Sequence, residues 1–214
     1  MKQLIKKEFI LGWKWYNYLF FVFPLMLLIP AYPAFTAILY IFFFVTTLFP
    51  SFLTNNDFKF MTGLPIRRRD IVASKYFDVL FGQFGTLILA IPLAAIKVLI
   101  LEKDGSPLLD PNFAFFGLTL IEYTIFNLVF FRTYFTELKL PKSMLLAILT
   151  FFLSLALPEI LIQAIPPVRA VLDSTDPATV LWRLLVLFCG IAVYIGGNVL
   201  SFRIACKRFE CYNM

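Results

Sequence analysis

Glu122, Asn127, Glu159 and Arg183 are polar or charged residues set inside runs that are otherwise apolar. An ionisable group at the middle of a bilayer costs roughly 2.5–3.5 kcal/mol on insertion scales, so such a group has to face protein or water. Glu122 lies near the centre of its run, with Asn127 a little more than one helical turn further on. Glu159 follows Pro158, where a kink would expose it. The expected arrangement pairs Glu122 or Glu159 with Arg183 or Lys97. Two roles remain open for Glu122: a structural ion pair, or a proton or cation site on a transport path. Lys97 and Arg183 lie near the ends of their runs, where snorkelling also accounts for them.

Other chemistry is excluded by what the chain lacks. It has no histidine, which removes the HExxH zinc site and the Ser/His and Cys/His dyads. No GxxxxGK[ST] loop occurs, so ATP phosphates have no cradle here. Cys189, Cys206 and Cys211 show no metal-ligand spacing, and their odd number argues against a disulfide framework. No intramembrane Asp pair or nucleophile–base set is present. No catalytic residue, metal site or nucleic-acid partner is therefore expected, and transport against a gradient would draw on a partner chain or an ion gradient.

The elements that must position these groups follow from composition. Of 214 residues, 61% are hydrophobic and 15% charged, Phe alone contributes 27, and the mean hydropathy is +0.86. Soluble domains run at about 45–50% apolar and about 25% charged, so the polar surface is too small for a water-soluble globule. The chain is expected to be an all-α integral membrane protein, a single transmembrane domain over residues 1–214. A spanning helix needs about 20 apolar residues. Six candidate spans are expected, at 16–30, 34–53, 71–101, 112–131, 143–165 and 178–202, with kinks at Pro24, Pro50, Pro92 and Pro158. With a cytoplasmic N-terminus, 15 of the 19 basic residues fall on the inner side, leaving Lys97, Lys103, Arg169 and Arg183 outside. This bias makes the chain a multi-pass protein with both termini cytoplasmic.

Residues 1–15 differ from the spans. Leu4, Ile5, Phe9, Trp13 and Tyr16 make one apolar helical face, with Lys2, Lys6, Lys7 and Lys14 over much of the rest, the pattern of an amphipathic helix in the headgroup plane. Charge recurs too often here for a cleavable signal peptide. The abundant Phe residues, among them Phe20, Phe21, Phe42, Phe43 and Phe44, either face lipid or line a greasy cleft. Gly82, Gly85, Gly196 and Gly197 permit close helix contact, within the chain or at a dimer seam.

Residues 55–69 form a basic loop between the second and third expected spans. Asn55 or Asn56 would cap a short helix with Asp57 in its first turn. Gly63 would end it, Leu64-Pro65 would turn the chain, and Asp70 would cap the next span. Arg67, Arg68 and Arg69 suit anionic lipid. Phe58 and Met61 form an apolar edge that would suit a groove on a partner protein, or dip into lipid. Asp78 lies near enough to Lys75 along the helix to pair with it.

The order Asn56-Asp57, Leu64-Pro65, Arg68, Ile71-Val72, Lys75-Tyr76 resembles the membrane subunits of type 2 ABC exporters. It resembles most the small bacterial permeases that export amphipathic peptide toxins or peptide antibiotics, with Gly63 where Ser is common. The resemblance implies a transport subunit of the plasma membrane that is not itself an enzyme. Residues 1–15 would be its elbow helix. The loop would be a cytoplasmic coupling helix, with Asn56, Asp57, Phe58, Met61, Leu64, Pro65 and Arg68 meeting a separate ATPase subunit. ATP and Mg would sit on that partner, with no cofactor in this chain, and a second permease copy or paralogue would complete the assembly. The competing reading is an ion-coupled carrier or channel that uses Glu122.

Overall fold

A computed structural model describes residues 2–29, 32–54, 60–61, 63–100, 109–174 and 177–211. Every regular element among them is helical. Helix α1 (Lys2–Lys7) runs into a π turn (Glu8–Gly12), and a 3₁₀ helix follows at Trp15–Leu28. Next come α2 (Ala34–Leu39), α3 (Ile41–Thr54), α4 (Arg68–Ile100), α5 (Phe113–Glu137), α6 (Leu140–Ala164), α7 (Pro166–Leu172) and α8 (Val180–Glu210). Four of these, α4, α5, α6 and α8, are long and apolar enough to cross a membrane. The segments Trp15–Leu28 and Ala34–Pro50 are shorter apolar helices.

The expected spans map onto these elements with informative differences. The second expected span is broken at Tyr40, between α2 and α3, while α3 continues through Pro50. Helices α4 and α6 likewise continue through Pro92 and Pro158. The first segment is a 3₁₀ helix with Pro24 inside it. Its start is pinned by Asn17, which is buried, donates to the Gly12 carbonyl and accepts from Thr47 Oγ1 at 2.9 Å. Asp70 sits in the first turn of α4 and not at its cap; its carboxylate there favours the helix dipole. Helix α5 has a side-chain cap: Asn112 accepts from the amides of Ala114 and Phe115 at 2.8 and 3.1 Å. It ends at Leu138, which takes a left-handed conformation with φ 52°. This tight turn leads straight into α6, whose first turn carries Pro141.

Helices α5 and α8 form the tightest pair, in parallel register. A Cβ on Gly190 would lie 2.3 Å from the Gly117 carbonyl oxygen, and one on Gly197 would lie 2.2 Å from Thr124 Cγ2. Gly197 thus marks packing inside the chain, whereas nothing lies within 4 Å of the Cβ position of Gly196. Gly82 and Gly85 face the rings of Phe44 and Phe21. Of the Phe residues with two open roles, Phe42 and Phe44 are buried in the core and only Phe43 is substantially exposed. On α5, Phe126, Phe130 and Tyr134 follow every fourth residue and stack at 5.6 and 5.5 Å. Phe42 and Phe49 pack against that column. The aromatic surplus therefore fills the interior as well as coating the outside.

Candidate coupling face and polar core

Helix α4 carries three polar clusters along its length. The first is at its basic end. Asn56, Asp57 and Phe58 lie outside the described residues. Phe60 and Met61 form a helical fragment, after which the Gly63 and Leu64 amides donate to the Phe60 and Met61 carbonyls. Phe60 is 65% exposed and Leu64 39%, with Pro65 exposed beside it. Met61, expected on the outward edge with Phe58, is instead fully buried, and Lys7 Nζ donates to its sulfur at 3.2 Å. The outward apolar edge among the described residues is Phe60 with Leu64. Arg68 faces its own chain: Nη1 donates to the carbonyls of Phe209 and Glu210 at 3.1 and 3.0 Å, and the guanidinium lies over the Phe209 ring. It thereby satisfies terminal carbonyls of α8 and ties that helix to the start of α4.

The second cluster joins α4 to the N-terminal segment. Lys75 Nζ lies 2.7 and 2.8 Å from the two carboxylate oxygens of Glu8, and both side chains are 0% exposed. Lys7 lies 3.3 Å from Glu8, and Ser74 Oγ donates to Glu8 as well. Asp78 is therefore not the ion-pair partner of Lys75; it accepts from Trp13 Nε1 at 3.3 Å. The π turn explains the geometry. Its i→i+5 bond, from the Trp13 amide to the Glu8 carbonyl, brings Glu8, Gly12 and Trp13 to the buried side together. Phe9 adds edge contacts to Phe77 and Phe81. The apolar face read from Leu4, Phe9 and Trp13 thus packs on protein, while Ile10, Leu11 and Trp15 point outward.

The third cluster crosses the middle of the bundle. Gln83 and Asn127 exchange two amide hydrogen bonds at 2.9 and 3.0 Å. Asn127 Nδ2 also donates to Asn198 Oδ1 at 2.8 Å, and Tyr194 donates to Gln83 Oε1 at 3.0 Å. Tyr76 donates to Asn198 Oδ1 at 3.0 Å, and Ser201 donates to the Asn127 carbonyl. Each amide is buried and partnered, so the network fixes α4, α5 and α8 in one relative position. Asn127 belongs here and not with Glu122. Sequence reasoning missed Glu8, Tyr194, Asn198 and Ser201. The last three had a signal, a polar stripe at i, i+4 and i+7 on an apolar helix.

Beyond this network lie the remaining intramembrane candidates. Glu122 is 3% exposed and makes no hydrogen bond or ion pair among the described residues. Its electrostatic neighbour is Glu159, which accepts from the Leu109 amide at 3.4 Å. Neither carboxylate pairs with Arg183 or Lys97 among the described residues, contrary to expectation. For Glu122 the reason is register: Arg183 lies in the first turn of α8, whose parallel packing sets Gly190 beside Gly117, so the two stand about three helical turns, or about 18 Å, apart along the pair. No group of His, Cys, Asp and Glu suited to a metal ion occurs among the described residues.

Long apolar helices held together by internal polar clusters define a helical membrane protein. The family model described as ABC-2 family transporter protein matches residues 3–210. The chain belongs to the ABC-2 transporter family, whose members are multi-pass transport subunits of membranes. No curated protein and no solved structure matches it.

Proposed function

We propose that this chain is the permease subunit of an ATP-driven exporter, moving amphipathic peptides or hydrophobic compounds out of the cell. It crosses the plasma membrane six times with both termini cytoplasmic, works with a second copy or paralogue, and takes its drive from a separate ATPase subunit that docks on residues 55–69. The observation that carries the reading is the continuity of the exposed Phe60–Leu64 edge with the 33-residue helix α4, in a chain matched to the family over nearly its full length. A helix of that length spans about 50 Å, more than the ~30 Å hydrocarbon core, so a push at its end reaches deep into the bundle.

The six-crossing plan draws support from two facts. At about 2.0 Å per residue, the 14-residue 3₁₀ helix covers about 28 Å, close to the ~30 Å core, where an α-helix of that length would cover only about 21 Å. The Lys7–Met61 and Arg68–Phe209 contacts also bring both ends of the chain to the basic end, as an even number of crossings requires.

The test is co-purification followed by transport. Tagged chain recovered in mild detergent should bring down an ATPase subunit, and the pair of substitutions Phe60→Asp and Leu64→Asp should lower that recovery and uncouple ATP hydrolysis from transport. Wild-type recovery and transport in that variant would remove this edge from the coupling surface. The second reading, an ion-coupled carrier, rests on the unpaired burial of Glu122; it requires transport that persists without ATP and fails in Glu122→Gln.

A further inference from the structure

A groove of about 470 Å³ opens on the side of the bundle between α4 and α8. Its mouth at the basic end carries Arg69 and Arg203, both exposed, and its apolar walls include Phe77, Leu80, Val199 and Phe202. Arg69 lies over the Phe202 ring at 5.7 Å. Among the described residues neither arginine has an ion pair or hydrogen bond, although Asp70 and Glu210 stand at the same end. The buried carboxylate of Glu8 is already matched by Lys75 and Lys7. Two uncompensated guanidiniums therefore face the mouth of a greasy channel.

The dimensions select the occupant. From Arg69 to Leu80 is eleven residues of α-helix, about 16 Å, against about 15 Å for half of a hydrocarbon core. A headgroup held at the arginines would thus lay an acyl chain along the groove through one leaflet. We infer that this groove binds an anionic phospholipid from the leaflet on the basic side, the phosphate between Arg69 and Arg203 and one acyl chain against Phe77, Leu80 and Val199. Basic pockets between membrane helices recognise acidic headgroups in this way. The inference needs only that the helices cross a membrane; it does not depend on the chain being an exporter subunit.

The experiment is native mass spectrometry of the full chain in mild detergent, titrated with phosphatidylglycerol or with phosphatidylcholine of the same chains. Phosphatidylglycerol should be retained in preference. The combined Arg69→Gln and Arg203→Gln variant should lose about thirtyfold in its affinity, as two surface cations contribute. Arg67→Gln, an exposed arginine outside the groove, should bind as wild type. Val199→Trp keeps both guanidiniums but fills the groove, and it should also weaken retention, which gives a reading even if the double variant does not fold. Equal loss in Arg67→Gln, unchanged binding in both groove variants, or displacement of the lipid by soluble glycerol phosphate would overturn the inference. None of these outcomes touches ATPase binding or transport.

Discussion

Lys75→Met is the most informative single perturbation. Its ammonium sits 2.7 Å from a Glu8 carboxylate that no solvent reaches. Removing one member of a buried ion pair leaves an uncompensated charge and costs about 3–5 kcal/mol, whereas replacing both members with apolar groups is often neutral. Here the low end applies. Lys7, partly exposed and 3.3 Å from Glu8, would still offset the stranded carboxylate. In the reverse variant Glu8→Leu, Asp78 is close enough to act on Lys75. Each single variant should therefore lose about 3 kcal/mol, and the double variant about 1 kcal/mol or less. For a chain of this size about 1 kcal/mol moves the melting temperature by roughly 2–4 °C, so each single variant should melt about 6–12 °C lower. Thermal unfolding of the four proteins in one detergent completes the cycle. Additive losses, or a single-variant shift below about 2 °C, would refute a desolvated pair holding the N-terminal segment to α4.

Four further outcomes follow from the same geometry. Asn127→Leu should leave Gln83 Nε2 without its acceptor and cost about 1–3 kcal/mol, read as a lowered melting temperature, while Asn198 keeps Tyr76 and the Tyr194 carbonyl. Gly190→Ala should cost about 1–3 kcal/mol because its Cβ meets backbone at 2.3 Å, while Gly196→Ala should stay within about 0.5 kcal/mol in the same assay. Arg68→Ala should release the last carbonyls of α8, losing about 1.5–3 kcal/mol and raising amide exchange at residues 205–210. Under the proposed function, Glu122→Gln should leave ATP-driven transport intact in a vesicle assay, whereas loss of an ATP-independent, pH-dependent transport in that variant would favour the ion-coupled reading.

Much of the fold was legible because lipid leaves few alternatives. A backbone in hydrocarbon has to satisfy its own hydrogen bonds, so long apolar runs become helices, and α4, α5, α6 and α8 follow the expected segments closely. The family resemblance carried by the residues from Leu64-Pro65 to Lys75-Tyr76 was legible too, and the family model over residues 3–210 agrees with it. What could not be read was which neighbour each polar group meets. Lys75 looked like a partner for Asp78 three residues on, but a π turn more than sixty residues earlier delivers Glu8 to it. Met61 looked like an outward residue because it shares an apolar edge with Phe58 in a polar loop, yet Lys7 at the end of α1 lies against it and it is fully buried. Glu122 and Arg183 are opposite charges in apolar runs, and the parallel register of α5 with α8 keeps them apart.

The three clusters share one helix, and their order along it matters. Moving from the exposed Phe60–Leu64 edge, α4 meets Arg68 on the end of α8, then Lys75 on the N-terminal segment, then Gln83 on α5 and α8 together. Packed polar contacts of this kind rearrange between discrete states and do not deform continuously. If the proposed ATPase docks at that edge, a displacement there would therefore turn α4 as a rigid lever against three anchors. The last of them, at Gln83, joins three helices through amides that are all paired. Asn198→Leu removes the side-chain acceptor that Tyr76 and Asn127 share without touching the docking edge, so under the proposed function it should alter transport while leaving recovery of the ATPase unchanged. Loss of recovery in that variant would mean that the edge and the network fold as one unit, and that α4 is not a lever between separate parts.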